Sequence, residues 1–90
     1  YLARQPRAID NYNDPVWPKI KTPWFWSQPL FGYYLDTDAW VLRKHAEMLA
    51  DAGVDVIVFD CTNGNNTWKE SYKKLCEVFT QARKDGVKTP

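Results

Sequence analysis

Apolar positions along this chain follow one period, then another, then the first again. Across "DTDAWVLRKHAEMLADAG", Leu42, His45, Ala46, Leu49 and Ala52 fall at helical spacing and share one face. Asp36, Thr37 and Asp38 precede that face with oxygens suited to an N-cap, and they place negative charge at the positive end of the helix dipole. Gly53 follows as a left-handed C-terminal stop, so the pattern predicts a helix over about 38–52. The period then breaks. Val54 to Phe59 is apolar at every position except Asp55, as expected of a strand buried on both faces in a helix-covered parallel sheet. Gly64, Asn65 and Asn66 read as a turn, and Thr67-x-x-Glu70 as a capping box. Trp68, Tyr72, Leu75, Phe79 and Ala82 return to helical spacing before Gly86, predicting a second helix over about 67–84.

The stretch before this is different. Pro6, Pro15, Pro18, Pro23 and Pro29 each remove a backbone donor and bias the preceding residue toward extended geometry, which excludes a long helix. The same stretch carries much of an aromatic content that reaches 16% overall, with five Trp, and disordered segments are poor in aromatics. Residues 1–35 therefore read as a long ordered loop, and residues 36–90 as a helix–strand–helix unit. One strand cannot satisfy its own backbone donors and acceptors. The expected fold class is accordingly α/β, with the chain a piece of a larger α/β protein whose other strands flank Val54–Phe59.

Composition narrows the partners. The 12 basic and 11 acidic residues leave a formal net charge of +1 and are scattered, so no basic stripe for nucleic acid is present. No apolar run approaches the roughly 18 residues a membrane helix requires, and no targeting segment is legible. Cys61 and Cys76 have neither redox-pair nor zinc-ligand spacing and read as reduced thiols. His45, alone on an apolar face, reads as a satisfied histidine and not a ligand. No metal or other cofactor is expected, and compartment and oligomeric state are left open.

The segments "WFWSQPLFGYYLDTDAWVLRKHAEMLADAGVDVIVFDCTNG" and "FTQARKDGVKTP" resemble large bacterial proteins similar to glycoside hydrolase families 71 and 99, the endo-acting α-mannosidases and mannanases and related α-glucanases. The shared pattern is W-x-x-P-L-F-G-Y-Y over Trp26 to Tyr34, D-x-W-V-L-R-K-H-A-x-M-L-A-D-A-G-V-D-V over Asp38 to Val56, and F-D-x-T-N over Phe59 to Asn63. The resemblance implies a fragment of a (β/α)8 TIM barrel that cleaves glycosidic bonds, with a parallel strand at Val54–Asp60. It places the catalytic carboxylates on later strands, outside this chain.

Candidate site residues follow from chemistry and position. Asp60 stands where the apolar run turns polar. Its carboxylate can face a ligand cleft at the strand's carboxyl end, or cap the loop that follows. Asn63 offers donor and acceptor to paired hydroxyls, or simple turn chemistry beside Gly64. Trp24, Trp26 and Tyr34, with Phe25 and Tyr33, can stack on the C–H faces of a sugar or anchor the loop. Asp60 has no second acid nearby in sequence, so the pair of carboxylates that glycoside hydrolysis requires is not legible. The expected function is substrate-binding surface within a carbohydrate-active hydrolase, with an oligo- or polysaccharide as partner. The alternative is a stand-alone carbohydrate- or peptide-binding module without catalysis. A nucleotide-binding unit fits least, because "CTNGNN" lacks a phosphate-cradling glycine pattern.

Overall fold

A computed structural model of the protein describes residues 28–62 and 68–90. The chain divides into two compact units, Tyr1–Asp36 and Thr37–Pro90. In the first, the described residues contain a turn in which the Gly32 N–H donates to the Pro29 carbonyl at 3.0 Å. Gly32 has φ 74°, a left-handed value that glycine adopts without strain. Phe31 to Leu35 are half-buried.

The second unit holds two helices, α1 (Ala39–Asp51) and α2 (Lys69–Lys84), which pack on each other. Helix α1 starts where the cap signal placed it. Asp38 is extended at φ −66° and ψ 112°, and its Oδ1 accepts from the Trp40 and Val41 N–H groups at 3.0 and 3.1 Å. Two donors that the first turn leaves unpaired are thereby satisfied. Both helices end alike. Gly53 N–H donates to the Ala50 carbonyl and Val54 N–H to that of Leu49; Gly86 N–H donates to Arg83 and Val87 N–H to Ala82. Each pair is a Schellman closure, and it needs the left-handed glycine at φ 84° and 83° respectively. At the start of α2, Thr67 of the expected capping box lies outside the described residues. The cap position is Trp68, left-handed at φ 51°, and its side chain makes no capping bond. Glu70 in the first turn and Arg83 and Lys84 in the last still complement the helix dipole.

Among the described residues, those buried are Val41, Leu42 and Ala46 on α1 with Phe79 and Ala82 on α2. Helical period located most of this seam. Leu49, Leu75 and Tyr72 on the same faces are half-buried, and Val41 joins the core although the period did not select it.

The segment between the helices corrects the expected fold. Val54 to Asp60 takes no regular secondary structure, and among the described residues there is no strand, only the two helices. The described structure is a small all-helical unit, and the expected α/β class, with a parallel strand of a (β/α)8 barrel, is overturned. The physical reason is that a strand exists by pairing. The main-chain groups of Asp55 to Phe59 find no backbone partner among the described residues. Val56 and Val58, expected in the core, are 72% and 86% exposed.

Candidate functional site

The polar end of the Val54–Asp60 segment is built on one carboxylate. Asp60 Oδ1 accepts from the Thr62 main-chain N–H at 2.9 Å and from the Thr62 hydroxyl at 2.6 Å. This is an Asx-type turn, the local capping that Asp side chains offer loops. The Thr62 hydroxyl, and then its N–H, hold the Asp60 carboxyl below the usual range, so it is ionised at neutral pH. Oδ1 takes both bonds, and Asp60 is exposed.

The preceding residue, Phe59, is 43% exposed, and its ring is tilted 52° against that of Tyr72 on α2 with centroids 6.1 Å apart. That geometry suits an aromatic pair. It anchors the end of the Val54–Asp60 segment on α2 while Phe59 stays partly exposed. The sequence pattern read Phe59 as the last apolar residue of a strand buried on both faces. Its position next to the first polar residue of the run was the signal that it lies at the boundary.

Exposure along the run alternates. Ile57 is half-buried and lines, with Phe59, a groove of about 350 Å³ whose far wall is Leu75, Cys76, Phe79 and Arg83 of α2. Val56 and Val58 are the more exposed positions. Arg83 is already engaged: its Nε donates to Thr89 Oγ1 at 2.8 Å and its Nη2 to the Pro90 carbonyl at 2.6 Å.

Of the other expected site residues, Tyr34 is half-buried within the first unit, and Trp24, Trp26 and Asn63 lie outside the described residues. His45 is half-buried on α1 and has an interaction partner. Cys61 and Cys76 are free thiols, both exposed. Arg43 stands four residues before Glu47 on α1, a spacing that allows a helical ion pair, but the two do not pair. Arg43 reaches Asp85 at the C-cap of α2, Nη1 to Oδ2 at 2.6 Å, and Glu47 pairs with Lys44 at 2.9 Å. The Arg43 guanidinium, followed by the Gln81 amide at 2.9 Å, holds the Asp85 carboxyl below its ordinary range. Among the described residues no three His, Cys, Asp or Glu side chains gather as a metal site would require. No helix among them is long and apolar enough to cross a membrane.

What this arrangement can do is bind. An exposed anion can accept from ligand donors, and the ring of the preceding residue can cover a nonpolar ligand face. Comparison with protein-family models, with curated proteins and with solved structures finds no match to this chain.

Proposed function

We propose that the chain contributes carbohydrate-binding surface to a glycoside hydrolase and does not supply the catalytic acid pair. The observation that carries this reading is Asp60: an exposed carboxylate held by two bonds from Thr62 and lowered in pKa by them, preceded in sequence by the partly exposed aromatic Phe59. Sugars present hydroxyl donors around C–H faces, and a carboxylate beside a ring meets both demands. The resemblance of Trp26–Tyr34 and Asp38–Asn63 to the family 71 and 99 hydrolases supports the same substrate class.

The test is a ¹⁵N chemical-shift titration of the chain with mannose- and glucose-based oligosaccharides. Shifts should concentrate at Phe59, Asp60 and Thr62. Asp60→Asn keeps an acceptor for the Thr62 N–H and removes the charge, so it should weaken binding about tenfold or more, the equivalent of about 1.4 kcal/mol in binding, while leaving the fold intact. Unchanged affinity in that variant would overturn the assignment.

A second reading, a stand-alone binding module without catalysis, is favoured by one observation. Thr37–Pro90 forms a compact unit with its own buried residues. Such a module unfolds in one cooperative transition, with near- and far-ultraviolet circular dichroism coinciding. Non-coincident transitions would return the chain to the role of a part.

A further inference from the structure

We draw no further inference here: the strongest candidate, the apolar groove of about 350 Å³ that Val56, Ile57 and Phe59 line against Leu75, Cys76 and Phe79 of α2, carries nothing because nothing in the structure shows what covers it.

Discussion

Truncating Phe79 separates the packing seen here from the packing that apolar pattern alone suggests. Phe79 is 7% exposed and sits on α2, buried with Ala82 where α2 meets α1. A Phe side chain buries roughly 150–250 Å², worth about 4–6 kcal/mol at about 25 cal/mol per Å². Alanine keeps the Cβ and the unfolded chain already hides some surface, which brings Phe79→Ala to about 3–5 kcal/mol. A unit of this size has only about 3–8 kcal/mol in total, so that variant should lose at least about half of its stability. Phe79→Leu leaves a smaller void and should cost about 1–2 kcal/mol. With a urea slope of about 1 kcal/mol per M, its midpoint should fall by about 1–2 M, followed by circular dichroism at a helical wavelength. The control is Val58→Ala. Sequence pattern grouped Val58 with Phe79 as core, but it is 86% exposed and should cost no more than about 0.5 kcal/mol. If Val58→Ala destabilises as much as Phe79→Leu, the Val54–Asp60 segment is buried in solution and the helical seam is not the main core.

Asp38→Ala removes both first-turn bonds of α1 and should cost about 0.5–2 kcal/mol in a urea titration, with Asp38→Asn nearly neutral. Gly53→Ala meets no neighbouring atom within 4 Å but forces a Cβ into the left-handed region, so it should cost about 1–2 kcal/mol, whereas Gly53→Asn should cost less. The Asp85 carboxyl is depressed chiefly by Arg43, so the stability it brings is full above the ordinary carboxylate value of about 3.9 and is lost as pH falls through the lower folded value. Melting curves of the wild type and Arg43→Gln should therefore differ at neutral pH and converge in that acid window; a gap that persists at the lowest pH would contradict the pairing.

The sequence by itself determined what short-range bonds decide. A helix closes its hydrogen bonds four residues back, so the period of Leu42, Ala46 and Leu49, the cap at Asp38 and the stops at Gly53 and Gly86 were legible, and α1 and α2 follow them closely. The Asp60 turn was legible as one of two roles, because an Asp and a Thr two residues on can bond without help from elsewhere. Three things were decided only by tertiary structure. Whether Val54–Phe59 is a strand depends on backbones distant in sequence, and among the described residues none pairs with it. Which apolar residues are core depends on what covers them, which is why Val41 is buried while Val56 and Val58, alike in character, face solvent. Which acid Arg43 meets depends on where α2 ends, and Asp85 at that terminus prevails over Glu47 one turn away. Local bonds are written in neighbouring residues, whereas pairing and burial are properties of what the fold brings alongside.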